Sequence, residues 1–391
     1  MNRVTAPPRA SSQAAIAGAA AAPPRSLAGL TVLRAQADAC LDALADSGLA
    51  LRDVDAVFAH VDDTFSSLLL TEYLGLRTRV SVSTNLGGMS SLSHLSAACE
   101  AVAAGRCRVA LVSYGSVQAS TRMRTLGGPA VDPRSPRGQF AAPSGQLTPM
   151  GFYAMLAQLH MHRYGTRRES MAEVAVAARR WAQLNPDAAM RGPLSIEDVL
   201  ALPMIAEPFT ARDCCLVTDG AGALVVTSLE RARDLARPPV RMLGAAESHS
   251  HQFTPLGMDD WLDSGIAENA RAAMAQAGIS HDDIDVTQIY DHFTIGVIHA
   301  LEELGFCARG EGGDFVRDGR IAPGGAFPMN TSGGGLSYCH PGMFGMLLLV
   351  EAVRQLRGEC GERQVPDARV SLCFAPGLVF SGSVVTILAR D

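Results

Sequence analysis

Short, wholly apolar runs alternate along this chain with longer stretches in which apolar positions recur every three or four residues. The first pattern predicts buried strands, the second amphipathic helices, and their alternation predicts an α/β fold. DAVFAHV and RVALVSYG read as strands, LSHLSAACEAVAAG as a helix with a small-residue face, and GALVVTS as a further strand. After Pro238 and Pro239 a similar order restarts: VRMLGAAES, then the helix IAENARAAMAQAG, then VTQIYDHF, then the helix TIGVIHALEELG. VSLCFAPG and GSVVTIL close the chain as two strands. This repetition predicts two similar halves, residues 13–235 and 236–391, at low mutual similarity. Residues 120–210 are richer in Pro, Gly, Arg and helical pattern and are expected to form a cap inserted over the site. Residues 1–12 are expected to be a disordered tail. Arg3 and Arg9 ahead of AAIAGAAAA faintly imitate a signal peptide. That run is short and alanine-rich, so a first buried strand is the better reading.

Composition narrows the class. The 391 residues are 48% hydrophobic and 18% charged, which suits a globular protein with an ample core. A net charge of -6 argues against nucleic acid as the main partner. No apolar run is long enough to span a membrane. The nine cysteines are scattered, apart from the pair Cys214 and Cys215, and no CxxC occurs. Reduced thiols and a cytoplasmic setting are therefore expected, with no zinc ribbon in this chain. All 33 basic residues are arginine. Without a lysine, Schiff-base catalysis through an ε-amine is closed.

The chemistry concentrates in residues 330–345, NTSGGGLSYCHPGMFG. Small residues let backbone approach a ligand closely. Tyr338 and His340, two apart on such a loop, can face one cavity, and phenol with imidazole is an acid/base pair. The plain alternative is a tight turn before a helix, with the histidine capping locally. His160 with His162, and His249 with His251, have the spacing of strand-borne metal ligands. HMHRYG falls in a helical pattern, however, where positions two apart diverge, and no metal is expected. Residues 310–319 imitate a phosphate loop without its GK[ST], and read as a loop near a dimer or partner surface. Arg122, Arg124 and the 134–137 arginine cluster are candidates to meet CoA phosphates or are simply solvated.

Several of these segments, in this order, resemble the thiolase superfamily, and within it the lipid-transfer-protein branch of sterol-carrier-type thiolases. The likeness runs through residues 160–226, then YDHFT, then EGGDFVRDGRIAPGGAFPMNTSGGGLSYCHPG, to the final glycine-containing hairpin. It implies a thiolase-like five-layer fold of two similar α/β halves, a site between them, and a dimer. The departures carry the functional argument. Thiolases place a cysteine nucleophile at a buried helix N-terminus, and Gly88 of Asn85-Leu86-Gly87-Gly88-Met89 stands at that position here, or Met89 with a shift of one. Cys99 lies three turns farther on and is expected to be a core residue. Tyr290 replaces the usual Asn or His, and Tyr338 replaces a small or apolar residue. Cys373 sits where relatives place an acid/base cysteine or a histidine. Pro376, in the altered Phe374-Ala375-Pro376-Gly377, donates no N–H to an oxyanion hole.

Without a nucleophile, thiolytic cleavage is closed, but retro-aldol cleavage of a 3-hydroxyacyl-CoA needs only a base, an acid and oxyanion stabilisation. The resemblance to relatives that cut steroid side chains as CoA thioesters implies Tyr290 and Tyr338 as the acid/base pair, with His340 stabilising the enolate oxygen. His292, Asn330 and Cys373 are accessory candidates, and His340 or His292 would favour the phenolate. No cofactor is expected beyond the CoA thioester substrate. The resemblance further implies a heteromeric complex with a small zinc-ribbon/OB-fold protein. Two other functions stay open: an acyl-CoA binder without chemistry, and an atypical thiolase or acyltransferase using Cys373 or Cys339.

Overall fold

A computed structural model describes residues 13–60, 65–122, 132–145, 148–251 and 260–391. The tail expected at 1–12, and Arg124 of the cap, lie outside the described residues. The strands are β1 (Ala14–Ala22), β2 (Ala56–His60), β3 (Val80–Val82), β4 (Val109–Ser116), β5 (Met204–Ala206), β6 (Phe209–Thr210), β7 (Gly220–Ser228), β8 (Val240–His249), β9 (Val286–Ile289), β10 (Val370–Pro376) and β11 (Gly382–Arg390). Nine of them join in the order β3-β2-β4-β7-β1-β8-β11-β10-β9, and β5 pairs with β6 as a separate hairpin.

That order is the same motif written twice outward from the centre. β1 pairs antiparallel with β7, β7 antiparallel with β4, and β4 parallel with β2. β8 likewise pairs antiparallel with β11, β11 antiparallel with β10, and β10 parallel with β9. β3 lies parallel to β2, and a parallel bridge from Thr287 to Met329 fills the matching place beside β9. The halves meet where β1 and β8 pair at Ala15–Arg241 and Ile16–Val240.

Hydrophobic burial sets the layers. The central core combines the helices Ser90–Ala103 and Gly345–Arg357 with the inner faces of both sets of strands. The helix Val32–Ser47 covers the outer face of the first set. The helices Ile266–Ala277 and Thr294–Glu303 cover that of the second. The α/β layering that the pattern predicts is thus five deep, as the resemblance implies. The insertion is more than a lid. Its helices Pro149–Tyr164 and Arg168–Gln183 bury Phe152, Leu156, Met171 and Val174 in the outer core of the second half.

The duplication reaches single residues. Gly18 in β1 lies so close to the Val32–Ser47 helix that a Cβ would collide with the Ala43 carbonyl oxygen. Gly244 in β8 stands in the same relation to the Ala273 carbonyl of the Ile266–Ala277 helix. Each glycine follows a register shift in its strand pairing, after Ile16 in β1 and opposite Ile387 in β8. A backbone oxygen cannot swing aside as a side chain does. Gly18→Ala and Gly244→Ala are each expected to cost about 1–3 kcal/mol or more of stability by overpacking, measured by urea unfolding. Near-neutral values would show that the helices shift freely over the strands.

Candidate active site

β9 and β10 run parallel and end side by side, and sites in such sheets lie beyond the carboxyl ends of the strands. Tyr290 is the first residue after β9, and its N–H donates to the Phe374 carbonyl of β10 at 3.0 Å. Facing these strand ends are the 3-10 turn Gly87–Met89 that opens the Ser90–Ala103 helix and the loop from His340 to Phe344. Ser90 Oγ holds that turn, accepting from Leu86 N–H and donating to the Gly87 carbonyl, both at 2.8 Å. Together they enclose a cavity of about 100 Å³, lined by Gly88, Tyr153, Cys215, Tyr290, His292, His340 and Pro376 among others.

At its centre the Tyr290 hydroxyl lies 3.0 Å from His340 Nε2 and accepts the Phe344 backbone N–H at 3.1 Å. Burial pushes the phenol well above its usual range, the Cys215 thiol adds to this, and the Phe344 N–H opposes it. Burial lowers His340 to about 4, so its imidazole is neutral at ordinary pH. With the Phe344 N–H already donating to the phenol oxygen, the phenol proton can point at His340 Nε2, where the Nδ1–H tautomer offers a lone pair, or at the Gly342 carbonyl 3.5 Å away. The histidine itself is braced by Thr218. Thr218 Oγ accepts the His340 N–H at 2.9 Å, and Thr218 N–H donates to the His340 carbonyl at 3.3 Å.

The other expected residues divide. His292 lines the cavity, its Nδ1 3.3 Å from the Tyr290 carbonyl and its Nε2 without a hydrogen-bond partner among the described residues. Burial lowers it to about 3. Gly88 also lines the cavity, with Tyr290 against it. Asn330 does not line it. Its side chain clamps the end of β9, accepting the Ile289 N–H at 2.8 Å and donating to the Ile289 carbonyl at 2.7 Å. Cys373 does not reach the cavity either. It is fully buried within β10, and burial pushes its thiol to about 12.

Tyr338 is the main correction. It was expected to share the cavity with Tyr290 but does not line it. Residues Gly334–Tyr338 form one π-helical turn, and extended backbone resumes only at Cys339. The turn directs Tyr338 into the core, where it feels the charges of Arg354, Glu351 and Asp187. Cys339 faces Thr218 and Asp219. His160 bonds Thr166 and Glu302, and His251 meets the Val379 carbonyl. Among the described residues no group of three or more such side chains could hold a metal ion.

Several contributors carried no signal in the sequence. The Phe344 N–H is invisible in a string of letters, and Thr218 sits in no motif. Asp291 anchors the π-helical turn, accepting the Gly335 and Leu336 N–H groups at 2.6 and 3.2 Å. Burial raises its carboxyl to about 7 against those bonds. Beyond Pro149, Cys215 and Phe293, which it shares with the small cavity, opens a second of about 820 Å³. Met150, Ile205 and Val217 make it mainly apolar, and Arg122 is the one charged residue among the described residues that line it. No helix among the described residues is long and apolar enough to cross a membrane.

Comparison with known proteins finds thiolase-like relatives. A family described as thiolase C-terminal domain-like matches residues 244–390. The chain is 38% identical to a 17-hydroxy-3-oxo-4-pregnene-20-carboxyl-CoA lyase of Mycobacterium tuberculosis, over 96% of this chain and 99% of that one. It is 36% identical to a steroid side-chain-cleaving aldolase of Thermomonospora curvata, over 95% and 97%. A solved structure titled Ltp2-ChsH2(DUF35) aldolase superposes with a TM-score of 0.87 at 33% identity, covering 98% of this chain and 99% of that one.

Two outcomes follow from this geometry. Thr218→Val removes the acceptor for the His340 N–H while keeping shape. It is expected to cost about 1–3 kcal/mol of stability in urea unfolding, and Thr218→Ser to restore most of it. The second concerns pH. His94 and His340 are lowered to about 4, and His292 and His299 to about 3, in each case chiefly by burial. Unfolded imidazoles titrate near 6.5, so below that pH the unfolded chain binds protons that the folded chain refuses. Asp291, raised to about 7, works in the opposite direction between pH 7 and 4, but it is one group against four. Stability from the histidines is therefore full above pH 6.5 and lost towards pH 4. Calorimetry should give a Tm that falls steadily from pH 7 to 4.5; a flat profile would contradict the buried neutral rings.

Proposed function

The chain belongs to the thiolase superfamily, in the sterol-carrier-type branch beside its steroid side-chain-cleaving aldolases, and we propose that it cleaves a bulky 3-hydroxyacyl-CoA by a retro-aldol reaction. The products are a ketone and a shortened acyl-CoA. The observation that carries this reading is the Tyr290 hydroxyl, held between His340 Nε2 and the Phe344 N–H, with its ring in the space a side chain at Gly88 would need. The names of the two relatives, a carboxyl-CoA lyase and a side-chain-cleaving aldolase, support it.

The substrate's β-hydroxyl approaches the Tyr290 oxygen. Its proton passes to that oxygen as the phenol proton moves to His340 Nε2. This relay avoids a free phenolate, which burial disfavours. The electron pair of the new alkoxide forms the ketone carbonyl, the Cα–Cβ bond breaks, and its electrons form the thioester enolate. The enolate oxygen faces the Gly88 end of the turn that opens the Ser90–Ala103 helix, where the helix dipole favours negative charge; the Gly87 N–H is already taken by Asn85 Oδ1 at 3.1 Å. The enolate in turn offsets the charge on His340. The proton then returns through Tyr290 to the α-carbon, which restores both side chains.

Tyr290 thus acts as both base and acid, with His340 as its proton reservoir. His292 is an accessory group on the cavity wall, and Asn330 holds the strand end that carries Tyr290. The larger cavity takes the apolar body that becomes the ketone. The enzyme works with a small DUF35-type partner, in keeping with the two-component title of the structural neighbour.

The test is turnover of a 3-hydroxyacyl-CoA, followed as ketone plus shortened thioester, with the partner co-expressed. Tyr290→Phe and His340→Ala are each expected to lower kcat by about 10²–10⁴-fold while thioester binding changes little. Tyr338→Phe should keep kcat within a few-fold of the parent. Wild-type turnover by Tyr290→Phe would leave a protein that binds acyl-CoA by some other plan. Loss of turnover in Tyr338→Phe alone would return the second tyrosine to the chemistry.

A further inference from the structure

Two neighbours, the Tyr290 ring and the Pro376 carbonyl, crowd Gly88. A Cβ built there would lie 2.6 Å from Tyr290 Cε2, 2.9 Å from Tyr290 Cζ and 2.9 Å from the Pro376 carbonyl oxygen. Real Cβ atoms do not come so close to other atoms, so a side chain at 88 and the ring at 290 cannot both keep their places. Neither has an evident escape. The Gly88 carbonyl is already met by the Gly345–Arg357 helix, at whose first residue a Cβ would lie 2.6 Å from that oxygen. The ring is held by its hydroxyl at His340 and Phe344, and its backbone by Phe374. Pro376 belongs to β10 and is paired with Ser383.

We infer that Gly88 is a specificity-determining position. The space left by its missing side chain is the space in which the Tyr290 ring stands, so a side chain at 88 and a reactive phenol at 290 exclude one another. The glycine is then more than the relic of a lost nucleophile. Any side chain there, even one inert methyl, pushes the phenol off the line between His340 and the substrate. The pair decides whether the cleft offers a side chain able to capture an acyl group or a phenol able to move a proton. This inference rests on the proposed role of Tyr290, but its steric half stands independently of that role.

The experiment is a double-mutant cycle on the full chain with its partner, using Gly88→Ala, Tyr290→Ala and the combination. Tm reads the steric half. Gly88→Ala should lower it by several degrees, and adding Tyr290→Ala should recover much of that loss. Additive losses would overturn the inference. If Gly88→Ala does not fold but the double variant does, the exclusion is supported. If both fail alike, it is overturned. In folded Gly88→Ala, kcat on a 3-hydroxyacyl-CoA should fall by about 10²-fold, as expected for a phenol displaced by about 1 Å, with KM changed less than threefold. An unchanged kcat would overturn the inference. Tyr290→Phe separates the two ideas. It keeps the ring and so keeps the Tm penalty of Gly88→Ala. If Tyr290→Phe also keeps full turnover, the proposed function fails while the steric exclusion survives.

Discussion

The site depends on one hydrogen bond, between the phenol of Tyr290 and the imidazole of His340, made in a place where neither group is readily charged. A buried phenol and a buried imidazole each resist ionisation alone. Joined, they can pass a proton between them without either carrying an isolated charge for long. The architecture is arranged around that bond. Asn330 fixes the end of β9, Phe344 offers its N–H, Thr218 holds the backbone of His340, and Gly88 leaves room for the ring. Asn330 and Thr218 do this with side chains that grip main chain, at Ile289 and at His340, and main chain in a packed core moves less than side chains do.

The layers and strands were readable from the chain because hydrophobic period carries that information directly. AAIAGAAAA, DAVFAHV, RVALVSYG and VSLCFAPG all appear as buried strands, and the restart after Pro239 appears as the second run of the same topology. The site was readable only in part. Tyr290 and His340 stand where a strand end and a glycine-rich loop should bring them. Tyr338 does not line the cavity with His340, because a spacing of two implies a shared face only in extended backbone and a π-helical turn intervenes. Cys373 was misjudged because it lies well inside β10, whereas the cavity begins at Pro376. The crowding at Gly88 depends on a residue about two hundred positions away, and no local pattern encodes it.

The insertion shows how the two halves became one working unit. It leaves the first half after β4, packs its helices on the outer core of the second, and returns to β7. On the way it contributes Tyr153 and Pro149 to the small cavity, and Thr148 and Met150 to the large one. Loop 215–218, just before β7, then reaches the histidine of the other half through Thr218. The cleft is therefore assembled from distant parts of the chain, which suits a reaction needing fixed groups on several sides of one bond.

The narrow cavity has a stereochemical consequence. About 100 Å³ holds about three water molecules at liquid density. Under the proposed mechanism an enolate formed there meets its proton from a single fixed oxygen, and so on one face. Where the α-carbon bears a substituent, the shortened thioester should leave with one handedness, and in heavy water with deuterium in one orientation. A ring held still by a glycine would then be written into the configuration of the product.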